Sequence, residues 1–203
     1  MNTLIPTLSV ILSLTSAAIA APQVFNFKDP KGVNNAVFNL DAPLEAITGS
    51  ANGVSGTVTF DAANPAGTQF KITVAAASLH VGNPVMKDHL HGAMWMDVAK
   101  YPDMSFESKA VKNVKTTGDT TTLDAVGTFT LRGVSKEMSL PVKLTYLKDK
   151  LGLRVPNQKG DLLVVRSQFS IKRGDFGINP KAPEDKVSDT IEITLSIAGA
   201  SPK

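Results

Sequence analysis

All three histidines, His80, His89 and His91, lie between positions 80 and 91. Four of the six methionines, Met86, Met94, Met96 and Met104, fall in or beside the same stretch. Thioether sulfur suits Cu(I) and imidazole suits Cu(II), so the cluster raises the question of copper. Its spacing does not converge. His89 and His91 are two residues apart, and on a helix such a pair does not face one another. The expectation is therefore no metal site and no other cofactor. Asp88 and His91 are three apart, while His91 and Trp95 are four apart, so each pair shares a helix face. A His–Asp pair can serve as a general base. No nucleophile stands near this one in the sequence, so no catalytic residue is assigned. An enzyme acting on an amphiphile through His89 or His91 is the alternative. Arg132, Arg173 and Asp175 follow strand-like segments, with Gly174 and Gly177 beside them. They read as a turn-fixing ion pair, or as guanidinium forks that meet an anionic head group.

The elements that must carry these residues are mostly extended. Apolar side chains recur at every second position in eight segments, for example Phe70-Ile72-Val74, Leu123-Ala125-Gly127-Phe129-Leu131 and Ile191-Ile193-Leu195-Ile197. Period two with one apolar face marks half-buried antiparallel strands. Asn64-Pro65-Ala66-Gly67, Thr117-Gly118-Asp119 and Gln158-Lys159-Gly160 punctuate them as turns. A single sheet of eight strands would leave two edges and an apolar face in water, so closure into a barrel, or folding into a sandwich, is expected. One stretch departs from the alternation. Leu90, Met94 and Val98 stand at helical spacing, which predicts one short helix within Lys87–Lys100, capped by Asp88 and stopped by Tyr101-Pro102.

An eight-stranded barrel is just wide enough to be filled by its own side chains or to hold one small ligand. The inward rows mix large residues with Gly56, Ser108, Ala125, Gly127 and Ser167. Such small residues leave volume, which favours a lumen over a filled core. The expected apolar lining is Phe38, Val58, Phe70, Ile72, Met94, Trp95, Met104, Phe106, Phe129, Leu131, Leu140, Val142, Phe169, Ile193 and Leu195. His89, Arg132 and Arg173 are the candidate head-group contacts. A structural or partner-binding barrel with a filled core is the competing reading.

Composition narrows the field further. The chain has 203 residues, 42% hydrophobic and 19% charged, with no cysteine and a net charge of +3. This is one domain of globular composition. It cannot hold a disulfide, a thiol nucleophile, an iron–sulfur cluster or a cysteine zinc site. Lysine and arginine are scattered, which speaks against nucleic acid as a partner. The first charged side chain is Lys28. The apolar run Leu4–Ala20 ends in Ala18-Ile19-Ala20, a small-x-small pattern that predicts a signal peptide over residues 1–20, cleaved before Ala21. The mature domain, 21–203, is then exported and not integral to a membrane.

A series of short blocks resembles the YceI-like family of exported lipid-binding proteins. They include Lys87-Asp88-His89-Leu90, Trp95-Met96-Asp97-Val98, Tyr101-Pro102 and Met104-Ser105-Phe106-Glu107-Ser108. Gly127-Thr128-Phe129-Thr130-Leu131-Arg132-Gly133-Val134, Leu140-Pro141-Val142, Arg173-Gly174-Asp175-Phe176-Gly177 and Val187-Ser188-Asp189 follow in the family's order. At the N-terminal end, Phe25 to Asp29 and Asn34-Asn35-Ala36 depart from the family's usual opening. The resemblance implies an all-β, eight-stranded antiparallel, lipocalin-like barrel with a helix over part of it. It also implies a long isoprenoid or other amphiphilic lipid chain in the lumen and a bacterial periplasmic location, with secretion as the alternative. A non-catalytic carrier, storage or sequestering protein is the function it implies, and a homodimer is compatible with it.

Overall fold

The computed structural model describes residues 21–203, and the expected signal peptide, 1–20, lies outside the described residues. The strands are β1 (Gln23–Asn26), β2 (Asn35–Asp41), β3 (Ala46–Ala51), β4 (Val54–Phe60), β5 (Gln69–Ala75), β6 (Leu79–Val81), β7 (Asp103–Thr117), β8 (Thr120–Leu131), β9 (Val134–Leu147), β10 (Gly160–Lys172) and β11 (Thr190–Pro202). Two short helices, α1 (Pro84–His91) and α2 (Leu151–Arg154), accompany them.

These eleven strands build a wall of eight. β1 and β2 are two halves of one wall strand, as are β3 and β4, and β5 and β6. The pairings show it: β1 meets β4, β2 meets β3, β4 meets β5 and β3 meets β6, all antiparallel. From β5 the wall runs through β7, β8, β9, β10 and β11 in hairpin order. β11 then returns to the first wall strand, pairing Glu192–Ser196 with β2 and Ala200 with Asn26 of β1. The barrel is an up-and-down meander, closed on itself, which removes the free edges an open sheet would carry except along the short β6.

Strict alternation drives the long strands. In β8, Leu123, Ala125, Gly127, Phe129 and Leu131 are buried and the residues that alternate with them are not. Gly127 lies on the same inward row, where a Cβ would collide with the β7 backbone at Glu107 and Ser108. Here glycine lets β7 come close, beside the register shift between Ser108 and Ala110. The β8–β9 connection is a two-residue turn, with Arg132 at φ 49° and Gly133 at φ 73°. Left-handed backbone at both central positions matches the twist of a tight hairpin.

The break between β1 and β2 is held by side chains. Asn34, almost fully buried, donates to Phe27 O and Ala198 O and accepts from Ala198 N at 2.8 Å, replacing the strand pairing that is missing there. Asp29 accepts from the backbone N–H groups of Lys31, Val33 and Asn34 and from Arg154 at 2.8 Å. Burial raises its pKa, but these donors outweigh burial and hold the carboxyl below its usual range.

The helix differs from its expected span. It begins earlier, at Pro84, because the Asn83 side chain accepts from Met86 N and Pro84 occupies the first turn. It ends at His91, where Gly92 takes extended backbone, so Leu90, Met94 and Val98 do not form one helical stripe. Asp88 sits inside the helix rather than at its cap.

Candidate functional site

The barrel interior divides into two levels. The first is closed. Phe25, Phe27, Val58, Leu144, Leu163 and Ile197 are buried in one contiguous cluster. Tyr146 adds an edge contact to Phe25 and a tilted one to Phe60, with ring centroids 6.1 and 5.8 Å away. A polar seal lies at this end. Asp161 is fully buried and accepts from Asp149 N at 2.7 Å, Tyr146 OH at 2.8 Å and Lys203 Nζ at 2.8 Å. Burial alone would raise its pKa, but those donors lower it to about 2. The Tyr146 hydroxyl is pushed up, by burial first and then by its bond to Asp161.

The second level is hollow. A cavity of about 340 Å³ opens toward the end where β2 stops, β3 begins and α1 crosses. Phe38, Phe70, Ile72, Trp95, Met104, Phe106, Phe129, Leu131, Leu140, Val142, Phe169, Ile193 and Leu195 all face it. Two residues expected with them do not. Val58 belongs to the closed level, because its strand half, β4, runs below the cavity floor. Met94 follows the early end of α1 and is 68% exposed. The sequence reading missed Ile47, Val81, Met86, Leu90 and Met96, which also line the cavity. Ile47 and Val81 sit on β3 and β6, which are short, so their alternation gave little signal.

Polar groups are few in this lining: Glu45, His89, Ser105, Ser167 and Arg173. Ser167 is satisfied by Pro141 O at 2.7 Å. Arg173, expected as a head-group contact or as half of a turn-fixing ion pair, is 1% exposed. It makes no ion pair with Asp175, which instead meets Lys136 at 2.9 Å. Its guanidinium donates to Ile178 O at 2.8 Å and to Asn179 O, with longer contacts to Ala182 O, Val187 O and Ser188 O. It also stands 6.0 Å from the Trp95 ring. One arginine thus gathers the loop between β10 and β11 around backbone carbonyls, and satisfies its own donors in doing so.

Arg132 does not reach the cavity. Its guanidinium donates to Gly177 O and Ala93 O, both at 2.8 Å, and so ties the β8–β9 turn to the two segments beside the mouth. His89 lines the mouth and is exposed. The His91 ring nitrogen Nε2 lies 2.8 Å from Leu79 O. It does not bond Asp88. Among the described residues no group of three or more His, Asp or Glu converges on a metal position. No helix among them is long and apolar enough to cross a membrane.

A closed eight-stranded meander, hollow and apolar toward one end, is the geometry that comparison with known proteins can now place. A family profile described as "YceI-like domain" matches residues 31–198. The chain belongs to the YceI-like family. Protein YceI of Salmonella newport is 29% identical over 200 residues, covering 97% of this chain and 96% of that protein. Among solved structures, Burkholderia cenocepacia BcnA superposes with a TM-score of 0.67 at 21% identity, over 81% of this chain and 95% of BcnA. A polyisoprenoid binding domain from Saccharophagus degradans, described as implicated in plant cell wall breakdown, gives 0.63 at 11% identity over 90% of this chain and 100% of that domain. At these identities the structural likeness establishes the shared YceI-like barrel fold.

Proposed function

We propose that this YceI-like chain is an exported, non-catalytic binding protein that encloses the apolar chain of an isoprenoid-type or other amphiphilic lipid. The observation that carries the reading is the hollow half of a closed barrel, lined by apolar side chains save for a few polar groups. Burial of apolar surface supplies the affinity, at about 25 cal/mol per Å² removed from water. Its volume of about 340 Å³ falls at the low end of ligand cavities, which run from about 300 to 1,000 Å³. A long chain would therefore be enclosed over part of its length, with its head at the mouth. There Glu45 and His89 offer hydrogen bonds and Arg173 offers positive potential, while Arg132 acts on the mouth indirectly. The Saccharophagus relative, named for polyisoprenoid binding, supports an isoprenoid chain as the first candidate. A periplasmic carrier, store or sequestering protein fits the signal expected over residues 1–20.

Native mass spectrometry of protein purified from a membrane-containing lysate tests this. Bound lipid and displacement of a fluorescent fatty probe are expected. An empty protein that also fails to bind the probe would sink the reading. Turnover of an amphiphile that disappears in His89→Ala or His91→Ala, with the fold intact, would favour the enzymatic alternative.

A further inference from the structure

The outer wall carries a feature that the lipid cavity does not use. Strand register sets Lys115 of β7 opposite Thr122 of β8, and Thr122 opposite Lys143 of β9. It then sets Lys143 opposite Arg166 of β10, and Arg166 opposite Ser196 of β11. One outward row thus crosses five neighbouring strands. Lys112 stands one row closer to the mouth, opposite Asp124. All four cations are exposed, and none takes part in an ion pair among the described residues.

Two details make this row unusual. Like charges directly opposite across strands are destabilising, yet Lys143 and Arg166 face each other. The row also borders a groove of about 500 Å³, walled by Lys115, Lys143, Arg166 and Gln168 around the shorter Thr122, Pro141 and Thr194. The β7 irregularity between Lys112 and Lys115, with Asn113 at φ 53°, shapes one end of it. One acid, Asp124, lines the groove and accepts from Asn113 Nδ2 at 2.6 Å. Arg166 Nη1 donates to Val165 O at 3.0 Å and Ile197 O at 3.2 Å, so its guanidinium is fixed along the wall.

We propose that this groove binds a linear acidic glycan, with Lys112, Lys115, Lys143 and Arg166 meeting its carboxylates or sulfates. The shape excludes a flat partner. Strands stand about 4.8 Å apart on a convex wall, and the row from β7 to β10 spans roughly a third of the barrel's girth. A bilayer would touch one or two strands, whereas a flexible chain follows the curve. The uncharged groups beside the cations, Asn113, Thr122, Gln168 and Thr194, are amides and hydroxyls that pair with sugar hydroxyls. No aromatic ring lines the groove to stack an unpaired base, which sets a single-stranded nucleic acid aside.

The test is binding of fluorescently labelled oligouronate to the full chain at low salt, with neutral dextran of equal length and phosphatidylglycerol vesicles as the comparison probes. Saturable binding that weakens as salt rises is expected, with dextran inert. The double variant K143Q/R166Q is expected to lose at least tenfold in oligouronate affinity. Its fold, read by far-UV circular dichroism, and its binding of a fatty probe stay unchanged, and K181Q/K186Q, near the mouth, binds oligouronate as the parent does. No oligouronate binding, equal binding by K143Q/R166Q, or equal binding of dextran overturns the proposal. Vesicles that bind through Lys143 and Arg166 while oligouronate does not would also overturn it, in favour of a membrane surface. Failure of the lipid reading would remove only the fatty-probe control and leave the oligouronate outcomes unaffected.

Discussion

Below Phe70 and Val142 the barrel interior is packed side chain against side chain, and above them it encloses space. Both levels are built by the same wall strands and the same alternation of apolar residues. They differ in what the wall strands add at each end. At the packed end the first wall strand contributes Phe25 and Phe27, both fully buried, and Tyr146 closes over them. At the hollow end the first wall strand is β2, whose inward residues are mostly half-buried, and the cover is α1, none of whose residues is buried. Stability is thereby concentrated at one end and capacity at the other. A hollow lined by apolar side chains forgoes dispersion contacts that a filled core would make, so the packed level contributes more per residue, while the hollow end keeps a buried cluster around Phe129, Leu131 and Phe176.

This contrast can be broken or sharpened by experiment. The largest effect is expected from Leu144→Ala in the packed level, about 3 kcal/mol by urea unfolding, because the void cannot collapse. Leu195→Ala, on the cavity wall, is expected to cost about 1 kcal/mol, since its side chain already borders space. Equal losses at the two sites would contradict the division. Next comes the polar seal. The Asp161 carboxyl sits at about 2 in the folded protein, below its unfolded value of about 4. Its contribution, about 2 kcal/mol, is complete above about pH 5 and fades as the pH falls through about 2. Urea midpoints measured from pH 7 to pH 2 should fall less steeply in Asp161→Asn than in the parent. A parallel fall in both would show that the seal is not what acid breaks. Filling the hollow level should do the opposite of emptying the packed one. Leu195→Trp is expected to weaken a fatty probe about tenfold while shifting unfolding by less than about 1 kcal/mol, because the added ring enters existing space. The smallest effect belongs to the outer surface. Lys109→Ala removes a pair with Glu137 at 2.8 Å in which both side chains are more than half exposed, and a shift of less than about 2 °C in the thermal unfolding midpoint is expected.

Long strands were legible in the sequence because alternation over β8, β9, β10 and β11 is too regular to be helical. The composite strands were legible only in their longer halves. β1, β3 and β6 are three to six residues long, and β3 carries Gly49 and small side chains, so no apolar row stands out. The helix was placed too late. Leu90, Met94 and Val98 suggested a continuing stripe, while the signal that sets the start, Asn83-Pro84, lies outside that stripe. The cavity lining was mostly legible, because inward parity follows from alternation. The level of each residue along the barrel axis was not. Val58 has the right parity and the wrong height, and height depends on strand register, which a single chain does not display. Arg173 was legible as a special residue, though its five carbonyl partners arise only when the loop before β11 folds back.

β6 pairs with β3 on one side, and on its other side no strand follows, because the chain turns away into α1 before β7 begins. An unsatisfied strand edge is a template on which a second copy of a protein can dock and seed aggregation. Here the edge is only three residues long, and the His91 ring occupies the carbonyl of Leu79 at 2.8 Å. One imidazole thus holds the start of this short strand from within the same chain, and so ties α1 to the wall beside the mouth.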